Sequence, residues 1–161
     1  MHYLIQFLVM DVDGTLTDGK VYIGSSGEMF KAFDVKDGLG IGEVLPKTGI
    51  SPIIITGRQS EILERRCEEL GISELYQGVS DKLSLLQDIA TNANIGFNRF
   101  AYIGDDLNDT ECMKAIKDSG GIVGCPADAV KQILEIADFI STKNGGQGAV
   151  REFIEWLLDD K

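Results

Sequence analysis

The chain has 161 residues, of which 43% are hydrophobic and 25% are charged. This length and composition are typical of one folded domain, over residues 1–161, with its own apolar core. The net charge of −11 argues against nucleic acids and membrane surfaces as partners, because both are anionic. No apolar run approaches the roughly 18 residues that a transmembrane helix needs, so none is predicted.

The first half of the chain alternates strand and helix signals. Residues 4–10 form an apolar run that predicts a buried parallel strand ending at Asp11. Two short β-prone runs around a glycine-bearing turn predict a hairpin over residues 21–33. Apolar side chains with helical spacing predict a short helix after Gly38 that stops near Pro46.

The second half continues the alternation. Strands are predicted at residues 53–55, 75–77, 100–103, 122–123 and 139–140. Ser60 is predicted to cap a helix that runs to Leu70. Asn108, with Glu111 three residues later, resembles a capping box. The other helices are predicted over residues 81–93, 126–136 and 147–158.

This order of elements predicts an α/β fold: a doubly wound, Rossmann-like parallel sheet with helices on both faces, plus the short hairpin. The stretches between Asp13 and Thr56 and between Thr56 and Lys82 hold only the small elements named above. Neither stretch is long enough for an inserted cap domain, so the fold is predicted to be capless.

Two aspartates follow the first predicted strand directly. Asp11 and Asp13 would emerge at the carboxyl edge of the sheet, where ligands bind in open α/β folds. Their mutual repulsion can be offset by Mg²⁺, which prefers oxygen ligands. Asp11 can then act as a nucleophile that forms an aspartyl-phosphate, and Asp13 as a general acid and base. The alternative is that the Asp-Gly pair only forms a turn.

Other predicted strands end in residues that suit phosphoryl transfer, which relies on positioning and charge stabilisation. Thr56 and Gly57 can donate to phosphate oxygens, and Lys82 can supply positive charge. Asp105 can complete a metal site with Asp11 and the backbone carbonyl of Asp13. Taken singly, these residues have plainer explanations: a strand end, a surface lysine and a helix cap.

Cysteine and histidine usage narrows the chemistry further. Three widely spaced cysteines without a metal-binding spacing favour reduced thiols in a cytoplasmic protein. The single histidine is His2, so Ser-His and Cys-His mechanisms lack a plausible base. Hydrolysis would therefore depend on carboxylates, a metal and lysine.

The motifs DVDGTLTDG, ITGR and GDDLND, together with Lys82, resemble those of the haloacid dehalogenase superfamily of Mg²⁺-dependent phosphatases. The segments FDVKDGLGI, ITGRQSEILERRCEELGI, LYQGVSDKL, AYIGDDLND and GGQGAVRE are similar to its 3-deoxy-D-manno-octulosonate (KDO) 8-phosphate phosphatase group. The resemblance extends over residues 7–155. It implies hydrolysis of a phosphorylated sugar acid through an aspartyl-phosphate.

The resemblance also implies roles for individual residues. It makes Asp11, Asp13, Thr56 and Lys82 catalytic. The metal would be held by Asp11, Asp13 and Asp105, with Asp106 and Asp109 behind these ligands. The substrate would meet Asp13, Asp34, Val35, Lys36, Asp37, Gly38, Gly57, Arg58, Arg66 and Lys82.

Two positions bear on the choice of substrate. Arg58 favours KDO 8-phosphate, because the similar KDN 9-phosphate phosphatases tend to carry glutamate there. Gly42 stands where the group usually has another arginine. KDN 9-phosphate and N-acetylneuraminate 9-phosphate therefore remain alternatives, as does a non-catalytic oligomerisation module of the same fold.

The absence of a cap predicts that another subunit covers the site, and the resemblance implies a homotetramer. The hairpin over residues 21–33 would pack between subunits. The glycine-rich segment 145–151 would reach toward a neighbouring site.

Overall fold

The computed structural model describes residues 4–159, so His2 lies outside the described residues. Eight strands are present in this range. They are β1 (Phe7–Met10), β2 (Tyr22–Gly24), β3 (Gly27–Phe30), β4 (Ser51–Ile55), β5 (Glu74–Tyr76), β6 (Phe100–Ile103), β7 (Ile122–Cys125) and β8 (Phe139–Ile140). Strands β2 and β3 form a separate antiparallel hairpin. The other six form one parallel sheet in the order β5-β4-β1-β6-β7-β8.

Six α-helices lie within residues 4–159. They are α1 (Val35–Leu39), α2 (Glu61–Leu70), α3 (Lys82–Ala93), α4 (Thr110–Asp118), α5 (Lys131–Ile136) and α6 (Ala149–Asp159). The cap predicted for α2 is confirmed, because the Ser60 hydroxyl accepts from the Leu63 N–H at 3.3 Å. Gly71 ends this helix in the left-handed region, with φ of 72°, as expected for a glycine at that position.

Side chains alternate between the two faces of the sheet and create two apolar layers. In β1, Leu8 and Met10 belong to one layer while Val9 belongs to the other. The first layer includes side chains of α2 and α6, and the second includes those of α3, α4 and α5. The predicted doubly wound sheet with helices on both faces is therefore confirmed. The central strands are buried on both sides because the crossover helices cover them.

Several predicted element boundaries were wrong. The helix expected after Gly38 begins earlier, at Val35, and continues as a π-helical turn (Gly40–Val44) and a 3-10 turn (Leu45–Lys47). Asp34 sets the earlier start, because its carboxylate accepts from the Lys36 N–H at 2.7 Å and caps the helix.

The predicted capping box of Asn108 and Glu111 is also wrong. The box consists of Asp106 and Asp109, which enclose a 3-10 turn ahead of α4. Two helices start later than predicted: α5 begins at Lys131 instead of Pro126, and α6 begins at Ala149. Residues 126–130 instead hold backbone hydrogen bonds to other segments, such as the Val130 N–H to the Asp105 carbonyl at 2.9 Å.

The hairpin of β2 and β3 carries several exposed apolar side chains. Its apolar side chains point to solvent, and the most exposed are Ile23 at 69% and Met29 at 66%. Within residues 4–159, no helix is long and apolar enough to cross a membrane.

Candidate active site

Asp11 lies directly after β1, at the carboxyl edge of the sheet. Its N–H donates to the Ile103 carbonyl at 3.1 Å, which extends the pairing of β1 with β6 by one step. Only 4% of the residue is exposed. The carboxylate is therefore fixed by the strand that carries it.

Lys82, the first residue of α3, contacts this carboxylate. Its Nζ donates to Asp11 Oδ1 at 2.9 Å and to Asp109 Oδ1 at 3.0 Å. The three side chains are at most 6% exposed. The plainer explanation of Lys82 as a surface lysine is wrong. At the start of α3, its side chain points inward and forms a buried group of three charges with Asp11 and Asp109.

Asp109 holds this arrangement together. Its Oδ1 also accepts from the Tyr102 hydroxyl at 2.6 Å. Its Oδ2 accepts from the N–H groups of Asp105 and Asp106 at 3.1 and 3.3 Å. Sequence reasoning missed Tyr102, since a tyrosine in an apolar strand reads as a core residue.

Asp105 completes an acidic cluster with Asp11 and Asp109. One carboxylate oxygen from each of the three lies within 4.8 Å of the others. Thr15 donates to Asp105 Oδ1 at 3.2 Å. Gly14, with φ of +89°, allows the approach, because a Cβ there would overlap Asp105 Oδ2. Hard-cation sites are built from carboxylate oxygens gathered in this way.

The electrostatics of the cluster favour a bound cation. Burial, followed by the charge of Asp109, raises the pKa of Asp11 to about 6. Burial and the neighbouring Asp11 raise the pKa of Asp105 to about 8. Burial opposes the charged form of Lys82, but the carboxylates of Asp11 and Asp109 outweigh it and raise its pKa. One lysine does not neutralise three carboxylates, so the residues present fit a divalent metal.

Asp106 has a different environment from its neighbours. It is exposed, and its Oδ1 accepts from the Leu107 N–H at 2.7 Å. Its carboxylate therefore caps the turn ahead of α4. Of the two aspartates predicted behind the metal ligands, Asp109 contacts the other members of the cluster through its side chain.

Asp13 has a partner that sequence reasoning also missed. Lys31, just beyond β3, donates from its Nζ to Asp13 Oδ1 at 2.9 Å. No spacing or periodicity in the sequence links these two residues, because the contact depends on how the hairpin folds back over the site.

The end of β4 lies beside the end of β1, since Met10 pairs with Ile54 in register. Thr56 is buried, and its N–H donates to the Tyr76 carbonyl at 3.0 Å. Gly57 and Arg58 follow and are exposed. The sheet thus brings these predicted phosphate and substrate residues to the edge that carries Asp11.

The segment from Asp34 to Gly38 and Arg66 lie together, on the side of α1 and α2. Asp37 is buried, and its Oδ1 accepts from the Arg151 N–H at 2.9 Å, which ties α1 to the start of α6. The Arg66 guanidinium lies 5.5 Å from the centre of the Phe33 ring and packs over Gly38. Val35 and Lys36 are exposed.

Several of the side chains predicted to bind substrate already have partners within the chain. The carboxylates of Asp34 and Asp37 bond backbone N–H groups, and no hydrogen bond within residues 4–159 joins either to the acidic cluster. Arg66 has one ion-pair partner in this range, Glu69 at 3.2 Å.

The start of the glycine-rich segment contacts its own chain. The Gly146 N–H donates to the Thr15 carbonyl at 3.2 Å, and the Gly145 N–H donates to Asp128 Oδ1 at 3.0 Å. A Cβ at Gly145 would overlap the Gly14 carbonyl. Residues 145–146 therefore brace the loop after β1 of their own chain. A contact of segment 145–151 with a neighbouring site stays a prediction.

Comparison with known proteins identifies relatives across nearly the whole chain. A family model described as haloacid dehalogenase-like hydrolase matches residues 68–154. The 3-deoxy-D-manno-octulosonate 8-phosphate phosphatase of Escherichia coli K12 is 43% identical over 154 residues, which are 96% of this chain and 79% of that protein.

Solved structures of similar proteins come from the same group of phosphatases. The Moraxella catarrhalis 3-deoxy-D-manno-octulosonate 8-phosphate phosphatase, in complex with magnesium, phosphate and KDO, matches with a TM-score of 0.90 and 41% identity, over 98% of this chain and 88% of that one. The cobalt-bound deoxy-D-mannose-octulosonate 8-phosphate phosphatase of Haemophilus influenzae matches with a TM-score of 0.90 and 35% identity, over 98% of this chain and 90% of that one.

Proposed function

Since the chain belongs to the haloacid dehalogenase-like hydrolases, and within them to the 3-deoxy-D-manno-octulosonate 8-phosphate phosphatases, we propose that it hydrolyses KDO 8-phosphate to KDO and phosphate. The reaction is that of a Mg²⁺-dependent phosphomonoesterase. The observation that carries the proposal is the buried contact of Lys82 with Asp11 and Asp109, beside Asp105, at the carboxyl edge of the sheet.

Asp11 is the nucleophile in this proposal. One of its oxygens attacks the phosphorus, and the bond from phosphorus to the sugar oxygen breaks. Lys82 supports the step because its ammonium group lies 2.9 Å from Asp11 Oδ1, where it orients the attacking carboxylate and offsets the negative charge of the phosphoryl group.

Asp13 is the general acid and base. It protonates the sugar oxygen as that oxygen leaves, and then takes a proton from the water that attacks the aspartyl-phosphate. The second step restores the free Asp11 carboxylate and releases phosphate. The position of Asp13 two residues after the nucleophile supports this role, because both follow the same strand end.

The residues that would hold Mg²⁺ are Asp11, Asp105 and the backbone carbonyl of Asp13. When bound, the metal supplies positive charge that offsets the repulsion between the carboxylates and the phosphate. The raised pKa values of Asp11 and Asp105 support this assignment, since both carboxylates lack sufficient positive charge in the chain itself.

Recognition of the substrate involves groups around the cluster. Thr56 and Gly57 are proposed to donate to the phosphate, and Arg58 to meet the sugar-acid carboxylate, which suits a guanidinium fork. Arg66 and residues 34–38 would add contacts from the α1 side. The carboxylates of Asp34 and Asp37 bond backbone N–H groups, which favours a role of these two residues in shaping the α1 side of the site.

A nine-carbon sugar-acid phosphate is the alternative substrate, and Gly42 is the observation that favours it. The backbone does not require glycine here, because a Cβ would meet its nearest neighbour, the Leu70 carbonyl, at an ordinary 3.6 Å. Restoring arginine in a Gly42→Arg variant should therefore fold. If the side chain at position 42 contacts the substrate, this variant should also raise the preference for KDO 8-phosphate.

A homotetramer is proposed for the assembly, with the hairpin between subunits. The exposed apolar side chains of the hairpin support it, since apolar side chains exposed together on one element favour an interaction site. A cytoplasmic location is proposed as well. The three cysteines are buried and unpaired, and burial raises their pKa values to about 11 or 12, which suits a reducing compartment.

Phosphate release tests the proposal. KDO 8-phosphate, KDN 9-phosphate and N-acetylneuraminate 9-phosphate are compared with Mg²⁺ and with EDTA. We expect the eight-carbon substrate to be preferred and EDTA to abolish turnover. Preference for a nine-carbon substrate would keep the mechanism and change the pathway. No turnover of any of the three would contradict the proposed function and favour the non-catalytic module.

A further inference from the structure

Lys31 connects the hairpin to Asp13 through a buried ammonium group. Its Nζ lies 2.9 Å from Asp13 Oδ1 and 3.1 Å from Glu28 Oε2. The Lys31 side chain is 6% exposed, against 24% for that of Asp13. A lysine this deeply buried is uncommon and costs solvation.

The other end of this contact is anchored to α2. Glu28 Oε1 accepts from the Ser60 hydroxyl at 2.5 Å, and Ser60 is the residue that caps α2. Burial would raise the pKa of Glu28, but its bonds to Ser60 and Lys31 lower it, so this carboxylate stays ionised. Lys31 is therefore held in place by a charge that is itself bonded to the start of α2.

Lys31 engages only one oxygen of Asp13. Within residues 4–159, no other side chain bonds the Asp13 carboxyl, and Oδ2 has no partner in that range. The contact thus fixes the rotation of the carboxyl group while leaving one oxygen available. A general acid needs this, because it must lie within hydrogen-bond reach of the oxygen that leaves.

We propose that Lys31 is a positioning residue that orients Asp13 for proton transfer to the departing sugar oxygen. The inference rests on the proposed function. As the bond from phosphorus to the sugar oxygen breaks, its electron pair stays on that oxygen, which takes the proton from Asp13 Oδ2. The new bond to phosphorus comes from Asp11.

This role has a consequence that a merely structural role lacks. A sugar alkoxide is a poor leaving group and needs a proton, whereas the p-nitrophenolate ion is stable without one. Loss of Lys31 should therefore impair hydrolysis of the sugar-acid phosphate selectively. Hydrolysis of p-nitrophenyl phosphate, which still needs Asp11 and Lys82, should be nearly unaffected.

The experiment compares Lys31→Met with the wild type on KDO 8-phosphate and on p-nitrophenyl phosphate. We expect kcat for the sugar-acid phosphate to fall roughly 10- to 100-fold, a substantial part of what general acid catalysis supplies, with little change in KM. The kcat for p-nitrophenyl phosphate should change less than about threefold. Lys31→Arg should restore part of the loss. Lys20→Met is the matched control, because Lys20 precedes the same hairpin and is exposed.

Equal losses on both substrates, or no loss on either, would overturn the inference. If thermal melting shows that Lys31→Met does not fold, Glu28→Gln takes its place. This variant keeps Lys31 but weakens its anchor, so the same selective loss is expected at a smaller size, and a uniform loss would overturn the inference. A wild type that hydrolyses neither substrate would contradict the proposed function and, with it, this inference.

Discussion

The carboxyl edge of the sheet and the hairpin are organised in opposite ways. At the edge, charged side chains are buried and bond one another: Lys82 contacts both Asp11 and Asp109. In the hairpin, apolar side chains such as Ile23 are exposed. The edge is thus held by contacts within the chain, whereas the hairpin presents the apolar side chains on which the proposed assembly depends. Lys31 joins the two regions, because it extends from the hairpin to Asp13.

Replacing the nucleophile gives the largest expected effect and involves the edge alone. Asp11→Asn should lower kcat by at least about 10³-fold, as removal of a catalytic nucleophile does in other enzymes. The fold should persist, since burial already disfavours the charge of Asp11. Phosphate release and circular dichroism check this. Asp88→Asn, at an exposed helix position, is the control, and substantial activity in Asp11→Asn would refute the role of Asp11.

Breaking the buried ion pairs should cost stability at the edge. Lys82→Met leaves Asp11 and Asp109 without their shared cation, and loss of one partner of a buried pair costs roughly 3–5 kcal/mol. Urea unfolding with EDTA measures the free energy of unfolding. Lys131→Met is the control, because Lys131 is 85% exposed in its pair with Glu135, and such pairs contribute about 0–1 kcal/mol. Equal effects of the two substitutions would contradict this account of the edge.

Asp37, between the hairpin and α6, should give a pH dependence. Burial raises its pKa from 3.8 to about 6 in the folded state. The folded chain therefore binds the Asp37 proton more tightly than the unfolded chain does. This proton binding stabilises the folded state below about pH 4, and the stabilisation is lost as the pH rises through 6. Relative to Asp37→Asn, the wild type should lose no more than about 3 kcal/mol between pH 4 and pH 7. Urea unfolding at several pH values checks this, and parallel pH profiles would exclude it.

Alanine substitutions at two glycines with positive φ distinguish backbone strain from an effect on the metal site. Gly14 has φ of +89° beside Asp105, and Gly27 has φ of +119° at the hairpin turn with nothing near its Cβ position. Alanine at either position should cost roughly 1–3 kcal/mol through backbone strain. Only Gly14→Ala should also raise the Mg²⁺ concentration for half-maximal activity, because its Cβ displaces Asp105. A similar rise in Gly27→Ala would undermine the comparison.

A charge on the hairpin should have the smallest effect on the chain itself. Ile23→Asp should change the free energy of unfolding of the single chain by only about 0.5 kcal/mol, as exposed positions tolerate substitution. The proposed assembly should nevertheless dissociate, since the charge would be buried between subunits. Sedimentation velocity measures this, with Ile140→Asp as the control at an exposed apolar residue outside the hairpin. An unchanged assembly in Ile23→Asp would remove the hairpin from the proposed interface.

Much of the fold was predictable because its signals are local. The apolar runs that became β1, β4 and β6 end in polar residues, and parallel strands end at one edge. From the sequence alone, this reasoning places Asp11, Thr56 and Asp105 at one edge of the sheet. The capping box failed because two candidate pairs overlap, Asp106 with Asp109 and Asn108 with Glu111. Only the backbone conformation distinguishes them.

The parts of the site that were missed depend on tertiary contacts. Tyr102 is buried like any core residue in β6. The role of its hydroxyl depends on the tertiary hydrogen bond that it donates to Asp109. Lys31 meets Asp13 only when the hairpin closes over the loop after β1. Neither contact leaves a periodic pattern in the sequence.

A direct test of the central claim is to trap the phosphoryl group on Asp11. The enzyme is mixed with KDO 8-phosphate and Mg²⁺, quenched in acid within a single turnover, digested and examined by mass spectrometry. The account predicts a phosphate adduct on the peptide that contains Asp11, and none in Asp11→Asn. Turnover of the substrate without any adduct on that peptide, or with an adduct on another residue, would contradict it.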